Sequence, residues 1–315
     1  TSPLNRVGLL RRYHRLALPL LPLTASCLKV PAHVAVVSTT GWAHGFKFTG
    51  EKLVYCHSPA RWLYLSDQYL GEKSTGPVPL LLKTLRPALM LWDHWAAHRS
   101  AVYVANASVI KKRIENVYGK KDVPIFFPPH SVDTTAPVEP IPGLEEFTES
   151  DDYFLIVSRL LPYKNVDKAV EACNELGKKL LVIGRGPEKE RLEALAGPTI
   201  RIASGVSDAQ LRYAYRHCLA LLAISYEDFG ITPLEAGASG KAVIAYRAGG
   251  FLDTIQEGKT GMFINQPTVE QLVEALKAFN PDDWDADYIR EHVDGFSEAR
   301  FISRLKTYVQ ALPED

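Results

Sequence analysis

The sequence is poor in the features that mark disulfide-rich, zinc-binding or membrane-spanning proteins. Its 315 residues include only four cysteines, which form no CxxC pair and no His-flanked zinc pattern. Widely spaced cysteines in a chain of this length are typical of buried thiols in a reducing compartment. No apolar run approaches the ~20 residues that a membrane-spanning helix needs. These absences predict a cytoplasmic protein, either free in solution or peripheral to the inner face of the plasma membrane.

The sequence also lacks an excess of charge of either sign: its 36 Lys and Arg residues equal its 36 Asp and Glu residues in number. The balance hides a division: residues 1–130 carry 17 basic and 6 acidic side chains, whereas residues 131–315 carry 19 and 30. Basic clusters such as Lys111–Arg113 lack the interleaved aromatic residues of a nucleic-acid surface, so no nucleic-acid partner is expected. An anionic membrane surface or a lipid diphosphate is the better match, and a merely solvated basic face is the alternative.

The apolar residues predict two α/β domains. A length of 315 residues with 46% hydrophobic residues suffices for two buried cores. In the second half, five short apolar runs alternate with helical or glycine-containing segments, a pattern that predicts a doubly wound parallel sheet. The predicted strands are residues 153–157, 178–183, 199–202, 219–224 and 242–245, with a helix over 166–176.

The first half is less regular, and it is expected to form an incomplete lobe because no strand pattern precedes His33. Its strands are predicted over residues 33–38, 52–56, 102–105 and 123–127, and its helices over 59–70, 80–99 and 108–118. The proline-rich stretch 128–150 is interpreted as a linker. A final amphipathic helix is predicted over 296–312. The resulting domains are 1–140, 141–295 and a C-terminal segment 296–315 that is expected to dock toward the first lobe.

Two glutamates bracket a strand-to-helix turn in the second half. Glu227 follows the apolar run 219–224, and Glu235 lies in the first turn of a helix that Pro233 can begin. Parallel sheets bind ligands at the carboxyl ends of their strands, so both carboxylates are expected at a ligand-binding edge. The alternative is that both acids merely favour the start of a helix. The backbone N–H groups expected to face the same ligand are those of Phe229, Gly230, Ile231 and Thr232.

Two cations follow the first strand of the same predicted sheet. Arg159 and Lys164 lie in the loop after residues 153–157, at the edge where the glutamates are expected. A guanidinium fork and an ammonium group together suit a diphosphate. The next strand is followed by Gly184-Arg-Gly-Pro187, whose glycine spacing is too incomplete for a dinucleotide-binding motif.

These motifs together resemble the family 4 retaining glycosyltransferases of the GT-B fold, within the glycosyl transferases group 1. The resemblance rests on the Arg159/Lys164 pair, the Gly184–Pro187 turn and the Glu227/Glu235 pair. The stretches Tyr55–Trp62 and Ala105–Pro129 resemble the bacterial mannosyltransferase-like branch, which builds surface polysaccharides from nucleotide sugars. The implied fold is α/β GT-B, with two Rossmann-like lobes and a cleft between them. The opening strands and the glycine-rich loop of the first lobe are not visible in the sequence.

The resemblance also implies which residues hold the donor, a nucleotide-diphosphate sugar. Arg159 and Lys164 would bind its pyrophosphate, and Glu235 its ribose hydroxyls. Glu227, with the backbone from Phe229 to Ile231, would hold the transferred sugar. Further implied residues are Val206 and Leu211 beside the base, Arg185 within reach of the nucleotide, and His57 in the cleft near the sugar. The implied catalytic set is Glu227, His57, Arg159 and Lys164.

The implied reaction is retaining transfer of a hexose, with mannose as the first expectation, from a GDP- or UDP-linked sugar. The acceptor would be a glycan or a lipid-diphosphate-linked glycan in surface polysaccharide synthesis. No metal or other cofactor is expected, because Arg159, Lys164 and a helix N-terminus can meet the charge on the departing diphosphate. Two alternatives stay open: a non-catalytic or degraded GT-B subunit that only binds nucleotide sugars, and a nucleotide-sugar epimerase.

Overall fold

The computed structural model of the protein describes residues 6–8, 12, 20–64, 77–99 and 102–312, with side chains from Thr84 onward in the helix that begins at Pro77. The described residues divide into two compact units. The first unit comprises those up to Phe127 and those from Ile302 on, and the second comprises Pro128–Phe301. Among the described residues, no helix is both long and apolar enough to cross a bilayer.

The first unit is built on parallel strands. They are β1 (Lys29–Val30), β2 (Val34–Thr39), β3 (Lys47–Phe48), β4 (Glu51–Cys56) and β5 (Val102–Ala105). Its helices are α1 (Leu21–Cys27), α2 (Arg61–Tyr64), α3 (Pro77–His98) and α4 (Ser108–Tyr118), with a 3-10 turn at Trp42–Gly45. Three strands form a sheet of order β2-β4-β5, while β1 pairs with β3. The expectation that no strand precedes His33 is wrong, because the two residues of β1 are too few to give a strand pattern in the sequence. Pro77 opens α3, where its missing N–H leaves no helical hydrogen bond unmade.

The predicted strand over residues 123–127 is wrong. Only Ile125 makes a bridge, to Ala105, through Ala105 N–H donating to Pro124 O and Phe126 N–H donating to Ala105 O, each at 2.9 Å. Val, Ile and Phe residues favour a strand there, but Pro124 and Pro128 lack the N–H groups that would extend the ladder. The predicted helix over 59–70 begins at Arg61 and is described to Tyr64; the remainder of that prediction lies outside the described residues.

The second unit is built on a longer parallel sheet. Its strands are β6 (Tyr153–Val157), β7 (Lys179–Ile183), β8 (Ile200–Ala203), β9 (Leu221–Ala223), β10 (Val243–Tyr246) and β11 (Gly261–Ile264). They form one six-stranded sheet of order β11-β10-β9-β6-β7-β8. The five predicted strands are confirmed to within two residues at each end, and β11 was not predicted. The doubly wound α/β sheet expected from the sequence is therefore the fold of this unit.

Helices connect these strands. They are α5 (Glu145–Thr148), α6 (Val166–Leu176), α7 (Lys189–Leu195), α8 (Asp208–His217), α9 (Thr232–Ala238), α10 (Phe251–Thr254), α11 (Val269–Ala278) and α12 (Ala286–Asp294), with 3-10 turns at Pro162–Lys164 and Pro281–Asp283. The last helix, α13 (Glu298–Gln310), begins in the second unit and runs into the part of the chain assigned to the first.

Both faces of the six-stranded sheet are buried. On β6, Phe154 and Ile156 join the apolar cluster on one face, while Tyr153 and Leu155 join the cluster on the other. Successive side chains of a strand point to opposite faces, so a strand that is apolar at every position must be covered on both sides. This is why the run Tyr153–Val157 contains no polar alternation, as expected of a strand that lies between β9 and β7.

Candidate functional site

The centre of the six-stranded sheet provides a crevice. Strand β6 lies between β7 and β9. From β6 the chain proceeds through β7 to β8 at one edge of the sheet, and from β9 it proceeds through β10 to β11 at the other edge. Open α/β sheets bind ligands at this topological switch point, outside the carboxyl ends of the strands. A cavity of about 340 Å³ lies there, lined by residues that follow β6 and by residues that follow β9. Its size is within the range of small-molecule sites.

Six predicted site residues line this cavity. They are Arg159, Lys164, Glu227, Gly230, Ile231 and Thr232. Three come from loops and three from the entry to helix α9. The structure therefore brings together the two motifs that the sequence places after different strands, which follows from the parallel pairing of β6 with β9.

Lys164 and Glu227 form an ion pair across the crevice. The Lys164 ammonium donates to Glu227 Oε1, and Ser225 Oγ donates to the same oxygen at 2.6 Å. The side chain of Lys164 is 10% exposed and that of Glu227 is 26% exposed, so both charges are partly removed from water. Asn165 Nδ2 donates to Ile224 O at 2.9 Å and ties the loop after β6 to the end of β9. The two charged groups are thereby held in place by their neighbours.

Arg159 is more exposed than Lys164. Its Nη2 donates to the hydroxyl of Tyr163 at 2.9 Å, and the Lys164 ammonium lies 5.1 Å from the centre of the same Tyr163 ring. Tyr163 therefore contacts both cations. A guanidinium and an ammonium placed side by side can engage two linked anionic groups.

Glycines let neighbouring backbones approach the site loops closely. A Cβ on Gly250 would overlap Phe229 Cα, and Gly250 N–H donates to Glu227 O at 2.9 Å. On the other side of the cavity, a Cβ on Gly184 would overlap Ser158 O and one on Gly186 would overlap Leu160 O. The Gly184–Pro187 turn therefore supports the loop that carries Arg159, a role its sequence did not reveal.

Glu235 lies beside the cavity rather than in its lining. Tyr215 Oη on helix α8 donates to Glu235 Oε2 at 2.6 Å. Burial raises the pKa of Glu235, and the hydrogen bond from Tyr215 opposes that rise. Burial, with the Glu235 charge beside it, raises the pKa of Tyr215 well above its usual value. Tyr215 was not identified from the sequence, because an aromatic residue on a helix carries no signal of its contact with a residue twenty positions away.

Other predicted residues of the second unit lie outside the cavity lining. Phe229 is buried, with its ring centre 6.5 Å from that of Phe296. Val206 and Leu211 are partly buried and pack against the apolar cluster that contains Tyr215. Arg185 is exposed, and its Nη2 lies over Gly205, so that a Cβ there would be 2.7 Å away. Their proposed contacts with the nucleotide stay predictions.

His57 belongs to the first unit, directly after β4. Its Nε2 lies 2.8 Å from Ser38 Oγ, and its backbone N–H donates to Thr39 O at 2.9 Å. Burial and the nearby Arg61 guanidinium lower the pKa of His57, which favours the neutral imidazole. A neutral His57 can accept or donate a hydrogen bond but carries no charge toward a ligand. Its role near the transferred sugar stays a prediction.

The second unit of the chain is similar to known glycosyltransferases. Residues 141–293 match the family model "Glycosyl transferases group 1". A glycogen synthase of Pseudomonas syringae pv. syringae is 32% identical over 133 residues, which are 39% of this chain and 27% of that protein. A GDP-mannose-dependent alpha-(1-6)-phosphatidylinositol monomannoside mannosyltransferase of Mycobacterium tuberculosis is 30% identical over 138 residues, 38% of this chain and 36% of the relative. The chain thus spans about a third or less of the length of these relatives.

The similarity to solved structures extends over both units. The Anabaena protein HepE, solved in complex with UDP-glucose, superposes with a TM-score of 0.62 at 12% identity, covering 86% of this chain and 87% of HepE. At this identity the likeness concerns the fold. Residues 141–293 are therefore similar to the glycosyl transferases group 1, and the chain has the α/β fold of the GT-B glycosyltransferases.

Proposed function

We propose that this protein is a glycosyltransferase that moves a hexose from a nucleotide-diphosphate sugar to a glycan or lipid-diphosphate-linked acceptor. The observation that carries the proposal is the convergence of Arg159, Lys164 and Glu227 on one cavity at the switch point of the sheet. The family match over residues 141–293 supports the same class of reaction. Surface polysaccharide synthesis in the cytoplasm, with peripheral membrane contact, is the setting that suits such an acceptor.

The two cations would act on the leaving group. Breaking the bond between the anomeric carbon and the diphosphate places negative charge on the departing nucleoside diphosphate. Arg159 and Lys164 would stabilise that charge, because preorganised donors in a partly desolvated site stabilise it more than water does. In this scheme Lys164 exchanges its partner, from the Glu227 carboxylate to a phosphate oxygen. The scheme needs no divalent metal.

Glu227 would then act on the sugar. Once Lys164 turns to the phosphate, the Glu227 carboxylate keeps its hydrogen bond from Ser225 and can accept hydrogen bonds from sugar hydroxyls. Because no carboxylate is assigned as a covalent nucleophile, the proposed course is front-face transfer through an oxocarbenium-like state, with retention at the anomeric carbon. The acceptor hydroxyl attacks from the face that the diphosphate leaves, and its proton passes to the departing phosphate oxygen. Product stereochemistry by NMR tests it, and inversion would refute it.

Mannose is the proposed sugar and GDP the first candidate base, with UDP-sugars as the second. The mycobacterial relative is a GDP-mannose-dependent enzyme by name, whereas HepE was solved with UDP-glucose. A thermal-shift panel of GDP, UDP and ADP with their sugars separates these candidates. A specific ligand at 100 times its Kd adds about 2.7 kcal/mol of stability, a shift of roughly 5–10 °C for a unit of this size.

Turnover separates a transferase from a protein that only binds. We expect release of nucleoside diphosphate by the wild type, and a loss of about 10²–10³-fold in kcat for Lys164→Ala, because one preorganised charge donor is removed. Lys168→Ala, four positions further along and half-buried in helix α6, is the matched control and should keep full activity. Donor binding without any release of nucleoside diphosphate would refute the proposed reaction. An isomerised nucleotide sugar would point to an epimerase instead.

A further inference from the structure

The first unit contains a second cavity, of about 430 Å³, that the proposed reaction does not use. It is lined by residues of β1, β3, the start of β4 and the end of helix α3. The start of β4 is the amino end of the three-stranded parallel sheet, whereas His57 follows the carboxyl end of the same strand. The cavity therefore lies at the edge opposite to the one where parallel sheets bind substrates.

Four cations and one carboxylate line this cavity. The cations are Lys29, Lys47, Lys52 and Arg99, and the carboxylate is Glu51. Lys29 and Lys47 are direct partners in the parallel pairing of β1 with β3, which places their side chains beside each other on one face. Within the described residues, none of the four cations forms an ion pair with a carboxylate. Four cations beside a single carboxylate leave an excess of positive charge, which favours an anionic ligand.

Lys52 is the unusual member of this group. Its side chain is only 8% exposed, although a lysine this buried is normally paired with a carboxylate. Its ammonium donates to His44 O at 2.6 Å and to Phe46 O at 3.3 Å, which leaves one of its three N–H donors for a ligand. Burial, followed by the repulsion of Arg99 and Lys120, lowers the pKa of Lys52 to about 8. An anion in the cavity would relieve both penalties.

The cavity also offers an aromatic wall. Trp95 is 47% exposed, and the Arg99 guanidinium lies 4.7 Å from the centre of its ring. A stacked guanidinium is held in one orientation, which suits bidentate recognition of phosphate oxygens. Phe46 and Phe48 contribute further apolar lining. The volume exceeds what one phosphoryl group fills, so the ligand has an organic part as well.

We propose that this cavity binds a phosphate ester, with the phosphoryl group held by Lys47, Lys52 and Arg99 and the organic part against the Trp95 ring. This site is separate from the donor cavity of the second unit. The recognised chemistry is a phosphomonoester or phosphodiester anion, which either a soluble metabolite or a lipid headgroup can supply. The ligand would add a second phosphate-binding function to the chain.

Calorimetric titration with phenyl phosphate tests the proposal, with inorganic phosphate as the ligand that lacks the organic part. All proteins carry Arg159→Gln, so that the donor cavity contributes little to the signal. We expect Arg99→Gln to weaken phenyl phosphate binding about tenfold, since a charge-assisted hydrogen bond contributes roughly 1.5–3 kcal/mol. Trp95→Ala should remove the preference for phenyl phosphate over inorganic phosphate. Both residues are exposed, so these changes test the site without disturbing the buried Lys52.

Lys306→Gln is the control, because this exposed lysine of helix α13 is a cation of the first unit outside the cavity lining. A parallel arm measures sedimentation with vesicles of phosphatidylglycerol and of phosphatidylcholine. Soluble binding that Arg99→Gln weakens supports the proposal with a soluble ester as ligand. Binding to phosphatidylglycerol vesicles alone, again weakened by Arg99→Gln and not by Lys306→Gln, supports it with a lipid headgroup. No binding in either arm, or equal effects of Arg99→Gln and Lys306→Gln, would overturn it.

Discussion

Burial of the Glu235 carboxylate destabilises its ionised form, which is the form proposed to bind the ribose hydroxyls of the donor. Its pKa is raised in the folded protein, so its contribution to stability is present below the unfolded pKa and is lost as pH rises through the folded pKa. Glu235→Gln removes the buried charge and keeps an acceptor for Tyr215. We expect this variant to have a higher free energy of unfolding than the wild type at pH 7. The difference should close as the pH falls toward about 4.

Urea unfolding of both proteins across this pH range measures the difference, and Glu274→Gln, an exposed carboxylate on helix α11, is the control. The same Glu235→Gln variant should bind the donor nucleotide about tenfold more weakly, because hydrogen bonds to a charged acceptor are the stronger ones. Stability and binding would then move in opposite directions. Identical unfolding free energies at pH 7 would contradict the burial argument.

Among the loops and helices, Gly250 packs closely against the loop after β9, which carries Glu227. Gly250 has an ordinary φ of −74°, so Gly250→Ala acts only through the clash of the new Cβ with the Phe229 backbone. We expect a loss of about 1–3 kcal/mol in stability and a weaker donor-induced thermal shift, because the loop that carries Glu227 must move. Unchanged donor affinity would show that the loop adapts.

Gly177→Ala is the matched comparison. Gly177 has φ +62° at the end of helix α6 and open space around it, so its substitution costs about 1 kcal/mol through backbone conformation alone. Its donor-induced thermal shift should equal that of the wild type. Differential scanning fluorimetry with and without GDP-mannose or UDP-glucose measures both variants.

In the first unit, Asp93 joins several elements through one buried carboxylate. Its side chain is fully buried; Oδ2 accepts from Tyr64 Oη at 2.7 Å and from Tyr118 Oη at 2.9 Å, and Oδ1 lies 3.1 Å from His44 Nε2. These partners come from α2, α4 and the 3-10 turn. Asp93→Ala leaves buried hydroxyls without their acceptor, at roughly 1–3 kcal/mol each.

Hydrogen exchange read by mass spectrometry resolves that effect by element. We expect faster amide exchange in α3 and α4 of Asp93→Ala, and unchanged exchange in strands β6 and β7 of the second unit. Asp253→Ala, on helix α10 of the second unit, is the control for loss of a carboxylate elsewhere. Unchanged protection of α3 and α4 would show that the carboxylate contributes little.

The elements of the second unit were predictable because its central strands, β6 and β9, are apolar at every position. Strand β11 was missed because Gly261–Ile264 is short and lies at the sheet edge with two half-buried residues. The sequence was enough to predict that Arg159, Lys164 and Glu227 lie close together, since the carboxyl ends of parallel strands share one edge. The contacts of Asn165 and Tyr215 could not, because they depend on how one loop or helix packs on another.

Over the whole molecule, the excess of basic residues lies in residues 1–130. Anionic lipid attracts clustered Lys and Arg with about 1 kcal/mol each near the surface, and salt screens the attraction as the Debye length falls from ~10 Å at 0.1 M to ~3 Å at 1 M. We expect the protein to sediment with phosphatidylglycerol vesicles at the lower salt concentration and to dissociate at the higher. Lys111→Gln with Lys112→Gln, on helix α4, should weaken the low-salt binding by roughly ten- to thirtyfold.

Lys259→Gln with Lys277→Gln, both in the acidic part of the chain, is the charge-matched control and should bind as the wild type does. The same vesicles made of phosphatidylcholine should not sediment the protein at either salt concentration. Binding that persists at 1 M salt would mean that apolar insertion, rather than charge, holds the protein at the surface. Absence of binding at 0.1 M would mean that the basic residues face water, and it would favour a soluble glycan over a lipid-linked glycan as the acceptor.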